Sequence, residues 1–209
     1  MEIKALAQGF IGANCYLLSD GGHAFVVDPC CRTEVILAAL REQGLTLDGV
    51  LLTHGHFDHV MSLAPLVLAC PAEICLGEGD ADFPSDGSKN GFSVFYGQDR
   101  TFPPADRLLK DGDVLPLGNA SVRVIATPGH TNGSVSFLCE RSGEQSFLLT
   151  GDTLFSDNVG RTDLYGGSWS LLCRSLATLS ELSRTDEGIV IYPGHGESAL
   201  LSDALRAVL

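Results

Sequence analysis

Three histidines and one aspartate fall within six residues in Thr53-His54-Gly55-His56-Phe57-Asp58-His59, directly after the apolar run Val50-Leu51-Leu52. A buried strand that ends in this cluster would hold several metal-binding groups at one sheet edge. The chain contains six His in all, so a turn that gathers half of them calls for a reason beyond solubility. Two more share a local pattern: His130 in Thr127-Pro128-Gly129-His130 and His195 in Tyr192-Pro193-Gly194-His195-Gly196. Each follows an apolar segment and a Pro-Gly turn. Asp152, in Thr150-Gly151-Asp152-Thr153, also follows an apolar segment. Any one of these, taken alone, is a turn residue. Together His54, His56, Asp58, His59, His130, Asp152 and His195 are more groups than one tetrahedral ion needs, since catalytic zinc commonly takes three protein ligands and a water. The surplus predicts two divalent metal ions sharing a ligand, with zinc foremost and iron or manganese as alternatives suited to imidazole and carboxylate. Two ions roughly 3.5–4 Å apart can hold a hydroxide and stabilise a developing oxyanion, which implies attack on a carbonyl or similar centre.

The elements that would position these groups read as a strand-rich order with interspersed helices. Strands are predicted at 3–7, 15–19 and 24–28, the last two joined by the hairpin signature Asp20-Gly21-Gly22-His23. His23 is read as a solvated turn residue outside the ligand set. Asp28-Pro29 stops the third strand, because proline cannot continue a ladder. A helix over 33–43 is predicted from Ile36, Ala39 and Leu40, with Gly44 as its stop. Strand 49–53 leads into the His cluster, a helix is predicted over 58–70, and a strand over 74–76. Further strands are expected at 114–117, 121–127, 134–139, 146–150 and 188–192. A helix capped by Ser168 should bury Trp169, Leu172, Leu176 and Leu179, and a last helix is expected over 196–209. From 77 to 104 the pattern dissolves into Gly, Asp, Ser and Pro with Phe83, Phe92, Phe95, Tyr96 and Phe102 scattered through it. A loop of that length in a compact domain is usually functional or mobile, and its aromatics suggest that it folds over something.

The chain has 209 residues, is 44% hydrophobic and carries a net charge of -13, which suits one globular domain of residues 1–209 with a loop-rich insertion near 77–104. The charge disfavours a nucleic-acid partner. The longest apolar stretch is too short to span a membrane, and the opening residues carry no signal-peptide pattern, so a cytoplasmic protein is expected. Seven cysteines without a Cys-x-x-Cys pair read as reduced, mostly buried thiols.

The series His54-x-His56-x-Asp58-His59, His130, Asp152 and His195, with Asn14-Cys15-Tyr16, Val27-Asp28-Pro29 and Pro193-Gly194-His195-Gly196 around it, resembles the metallo-β-lactamase fold superfamily. That resemblance implies an α/β layered fold, a four-layer αββα sandwich of two mixed sheets with the metals at one sheet edge. It assigns His54, His56 and His130 to a first ion and Asp58, His59 and His195 to a second, with Asp152 bridging and Asp28 supporting the metal loops from behind. Gly151-Asp152-Thr153-Leu154-Phe155, Val159-Gly160-Arg161-Thr162-Asp163 and Thr101-Phe102-Pro103-Pro104-Ala105-Asp106 are similar to short type II glyoxalases. The activity so implied is hydrolysis of an S-acyl thioester such as S-lactoylglutathione. Asp58 would orient or accept the proton, and Arg161 would contact the small acyl-thiol substrate unless it serves only as a salt bridge to Asp163. The alternatives are a mononuclear iron persulfide dioxygenase and a lactone or β-lactam hydrolase of the same superfamily. The 83–102 loop is a lid or, in a homo-oligomer, a subunit contact.

Overall fold

A computed structural model describes residues 1–9 and 11–209 of the chain. The run Val50-Leu51-Leu52 lies in the middle of a six-stranded sheet built from β1 (Glu2–Ala5), β2 (Tyr16–Asp20), β3 (His23–Val27), β4 (Thr46–Leu52), β5 (Glu73–Gly77) and β6 (Arg107–Leu109), in that spatial order. The β1–β2 and β2–β3 pairs are antiparallel, and from β3 to β6 the strands run parallel. A second six-stranded sheet contains β7 (Val114–Leu117), β8 (Ala120–Ala126), β9 (Val135–Glu140), β10 (Phe147–Gly151), β11 (Val190–Pro193) and β12 (Ala199–Leu200). Its only parallel pair among the described residues is β10–β11. Helices α1 (Thr33–Gln43) and α2 (Leu63–Ala69) cover the first sheet, α4 (Trp169–Thr185) and α5 (Leu201–Val208) the second, and the short α3 (Phe92–Tyr96) lies within the aromatic segment.

Alternation along the strands explains the four layers. In β4, Val50 and Leu52 pack with Ile36, Leu40, Leu63 and Leu66 of the helices, whereas Leu51 points the other way and meets Phe137 and Leu149 of the second sheet. Side chains alternate faces with period two, so a strand buried on both sides reads as an unbroken apolar run. The amphipathic helices close the outer faces: Leu172, Leu176 and Leu179 of α4 are buried in one cluster with Leu148, Ile189 and Ile191. The expected αββα sandwich of two mixed sheets is the observed fold. Among the described residues no helix is long and apolar enough to cross a membrane. All seven cysteines are free, five of them buried.

Several local expectations need correction. Residues 58–70 do not form one helix: Phe57–His59 is a single 3-10 turn, and α2 begins only at Leu63. The amide of Ser62 donates to the carbonyl of Pro29 at 2.8 Å and so is lost to a continuous helix. Pro65 then sits in the first turn of α2, where its missing N–H does no harm. The helix expected over 196–209 starts at Leu201, because residues 199–200 pair with β11 instead. Trp169 leads α4 but is 59% exposed, and Ser175 takes its expected place in the buried stripe. The three-residue β6 carries too short a pattern to be read from sequence. The Gly21-Gly22 pair makes the β2–β3 turn with φ of 59° and 90°, and His23 is the first residue of β3, its ring exposed and 2.9 Å from Asp48.

Leu51 is fully buried between the sheets, so Leu51→Ala is expected to cost about 2–5 kcal/mol of stability by leaving a cavity. Denaturant unfolding of the purified variant checks this.

Candidate metal centre

One edge of the sandwich collects all the residues singled out by their chemistry. His54, His56, Asp58 and His59 lie in the loop and 3-10 turn after β4, His130 in the loop after β8, Asp152 directly after β10 and His195 after β11. The donor atoms of His54, His56 and His130 lie within 4.8 Å of one another, as do those of Asp58, His59 and His195. Asp152 groups in the same way with His54 and His59. Its carboxylate stands between the two triads: Oδ1 is 3.4 Å from His59 Nε2, and Oδ2 is 3.6 Å from both His130 Nε2 and His195 Nε2.

Hydrogen bonds behind the cluster set which ring nitrogens face it. Asp28, at the end of β3 with φ of 51°, accepts from the Thr53 amide at 2.8 Å, the Thr53 hydroxyl at 2.7 Å and His59 Nδ1 at 2.9 Å. The Thr53 hydroxyl, its proton committed to Asp28, can accept from His54 Nδ1 at 3.1 Å. His130 Nδ1 donates to the Arg161 carbonyl at 2.7 Å. Each of these three imidazoles therefore presents Nε2 inward, and an N–H engaged behind a ligating ring is how proteins fix that tautomer. His56 is the exception, its Nδ1 lying 2.8 Å from His130 Nε2. Nε2 of His54, His56 and His59 and Oδ1 of Asp152 are buried without a hydrogen-bond partner. An orphaned buried polar atom costs about 1–3 kcal/mol, and those of His54, His59 and Asp152, grouped within 4.8 Å of one another, fit a divalent cation.

Charge follows the same division. Burial pushes His54 well below the ordinary imidazole range, and burial together with His130 takes His56 down to about 3. Burial also opposes the charged form of His59, but Asp152, Asp58 and Asp28 outweigh it and hold this ring well above the usual value. Burial would raise Asp58 and Asp152; the positive charge of His59 overrides it in both, so both stay ionised. The side chains alone thus supply the neutral imidazoles of His54 and His56 on one side and a carboxylate-rich pocket on the other.

A second buried carboxylate braces the front of the loops. Asp80, in a 3-10 turn after β5, accepts from the Gly55 amide at 2.9 Å, the Thr131 hydroxyl at 2.7 Å and the Gly133 amide at 2.7 Å. It ties the backbone between His54 and His56 to the loop that carries His130. Burial pushes it up to about 6 despite these donors. Asn14 performs a similar task for His195, its amide donating to the carbonyls of Pro193 at 3.0 Å and Gly196 at 2.9 Å. The Tyr16 hydroxyl also donates to Pro193 at 2.8 Å. Sequence reasoning missed Asp80, which sits in an unpatterned acidic loop, and saw in Asn14 and Tyr16 only part of a motif.

The donor set opens onto a cleft of about 320 Å³ walled by Ile11, Phe57, Phe95, Phe155, Leu164 and Arg161. Arg161 reaches this wall with its guanidinium 5.9 Å from the Phe95 ring centre and bonded bidentately to Asp163 at 2.6 and 2.7 Å. The salt bridge considered for it is therefore present, in a side chain that also lines the cleft. The aromatics of 77–104 divide: Phe83 and Phe102 are buried, while Phe92, Phe95 and Tyr96 gather around Phe57 with ring centres 5.4–5.7 Å away. The segment folds onto the site, as its composition suggested.

Residues 9–195 match the family model described as the metallo-beta-lactamase superfamily. The chain belongs to that superfamily. An uncharacterized protein of Mycobacterium leprae is 38% identical over 99% of this chain and 96% of its own length. The hydroxyacylglutathione hydrolase GloC of Haemophilus influenzae is 30% identical, again over 99% and 96%. Among solved structures, the BLEG-1 B3 metallo-beta-lactamase superposes with a TM-score of 0.87 at 31% identity, covering 98% of this chain and 97% of that one. A di-iron-bound form of TTHA1623 gives 0.80 at 31%, covering 98% of each. With its His/Asp donor set in place, this superfamily member is a metal-dependent hydrolase.

Two outcomes test the site's construction. A Cβ on Gly194 would run into the Asp152 carboxylate, so Gly194→Ala is expected to weaken metal retention by about tenfold or more, since shifting a ligand or its support typically costs 10–100-fold in affinity; equilibrium dialysis with elemental analysis measures it. Burial pushes Asp80 up from the ordinary carboxylate value of 3.8 to about 6, so the folded chain binds this proton more tightly than the unfolded one. Its stabilising contribution is complete below pH 3.8, and is lost as the pH rises through about 6. Urea unfolding of metal-stripped protein should show the wild type losing on the order of 2 kcal/mol relative to Asp80→Asn across that window.

Proposed function

We propose that the protein hydrolyses a small S-acyl thioester, of the kind represented by S-lactoylglutathione. The observation that carries this reading is the convergence of seven nitrogen and oxygen donors, four of their buried atoms unpartnered, beside a cleft with mainly apolar walls. The likeness to a hydroxyacylglutathione hydrolase over nearly the whole chain adds to it.

In this assignment His54, His56 and His130 would hold one divalent ion and Asp58, His59 and His195 a second, with Asp152 available to both. Zinc is the first choice, and iron or manganese suit the same donors. Bound ions would supply an acidified water and electrophilic stabilisation of the developing oxyanion. The protein's own groups do the rest. Asp28 and the Arg161 carbonyl keep His59 and His130 in single tautomers, so neither ring must reorganise during turnover. Asp58 lines the cleft, is held ionised and has Oδ2 3.3 Å from His195 Nε2. It is placed to orient the attacking water and to hold its proton at Oδ2. Phe57, Phe95 and Phe155 exclude bulk water from the acyl group, and Arg161 forms the polar part of that wall.

Purified protein should release free thiol from S-lactoylglutathione, and a chelator should abolish that release. Asp58→Asn is expected to lower kcat by about 10²–10⁴-fold, the usual contribution of a positioned acid–base group. Absence of thiol release from any acyl-glutathione, with oxygen consumed on glutathione persulfide and one iron per chain, would sink the proposal and leave a persulfide dioxygenase.

A further inference from the structure

A second cavity of about 230 Å³ adjoins the first and shares Ile11, Phe57 and Asp58 with it. The two form one groove that leads away from the donor set. Beyond the shared residues its lining is Met61, Phe92, Tyr96 and Arg100. The lining of this part of the groove is therefore apolar except for Asp58, which it shares with the donor set, and the Arg100 guanidinium.

The setting of Arg100 differs from that of Arg161. Its guanidinium carbon lies 5.4 Å from the ring centres of both Phe92 and Phe102. Stacking on aromatic faces restrains the head group and leaves its N–H fork free to meet a planar anion. Arg161 spends its charge on Asp163, but no carboxylate of the described residues pairs with Arg100. The adjacent Asp99 is turned away, its Oδ1 accepting from the Gly87 amide at 2.9 Å. Arg100 is thus an exposed, groove-lining arginine held on two aromatic rings and left without a carboxylate partner among the described residues.

We infer that Arg100 is the anion anchor of the substrate groove, binding a carboxylate carried on an apolar arm remote from the scissile carbonyl. The assignment deepens the thioester reading and rests on it. A negative arm is attracted by Arg100 and lies along Phe57, Phe92 and Tyr96, with the thioester at the metal end. The substrate class is an acyl thioester whose thiol arm is itself an anion.

The test uses matched probes that differ only in a carboxylate or its methyl ester: the S-lactoyl thioesters of 3-mercaptopropionate, and the thioether analogues that cannot be hydrolysed. By calorimetry the wild-type holoprotein should bind the carboxylate thioether about tenfold more tightly than the methyl ester, the scale of one partly exposed charge-assisted contact. Arg100→Gln should bring that ratio close to one, and Arg100→Lys should keep part of it, with circular dichroism confirming the fold of each. In turnover the loss should fall on KM of the carboxylate thioester and spare kcat. Unchanged discrimination in Arg100→Gln overturns the anchor. Discrimination in binding without hydrolysis of either thioester by the wild type upholds the anchor and overturns the thioester assignment.

Discussion

Crowding four buried imidazoles and two carboxylates into a space a few ångströms across is unfavourable on every count that acts on polar groups. Each loses water, like charges oppose one another, and His54, His56, His59 and Asp152 keep atoms without partners. The rest of the fold can be understood as what it takes to hold this arrangement. Two stacked sheets bring four chain segments to one edge, and the buried carboxylates behind them, Asp28 and Asp80, anchor the loops by three hydrogen bonds apiece without entering the donor set. Such groups are strongly held by low dielectric surroundings only when their partners are complete, and each has three.

The layered architecture was legible because its signals are local and repetitive. Val50-Leu51-Leu52 is apolar on consecutive positions, which a strand buried on both faces requires, and Ile36, Ala39 and Leu40 fall on one side of a helix ending at Gly44. The donors were legible because His is rare in this chain and five of its six, with Asp58 and Asp152, follow strands. What was hidden depends on partners far away in sequence. The amide of Ser62 looks helical until Pro29 is beside it, and the loop aspartate Asp80 is unremarkable until residues 131–133 fold over it. Arg161 announced itself by a motif, whereas Arg100 has no motif and gains meaning only from Phe92 and Phe102 stacked against it.

Phe57 links the two halves of the functional surface. It sits between His56 and Asp58 in sequence, so its backbone is committed to the donor loop, while its ring packs with Phe92, Phe95 and Tyr96. The amide of Phe57 also donates to the Asn90 carbonyl at 3.0 Å. The aromatic segment and the donor loop are thus joined through backbone and ring at one residue, and the groove wall cannot shift far without disturbing the loop.

The order in which the donors occur along the chain has a consequence for synthesis. His54, His56, Asp58 and His59 leave the ribosome long before His130, Asp152 and His195, and N-terminal segments generally fold first. Until β11 is made, the strand it must pair with, β10, has an open edge, and Asp152 faces no His195. Completion of the donor set therefore coincides with closure of the second sheet, and the centre and the sheet that carries it are finished in one step of folding.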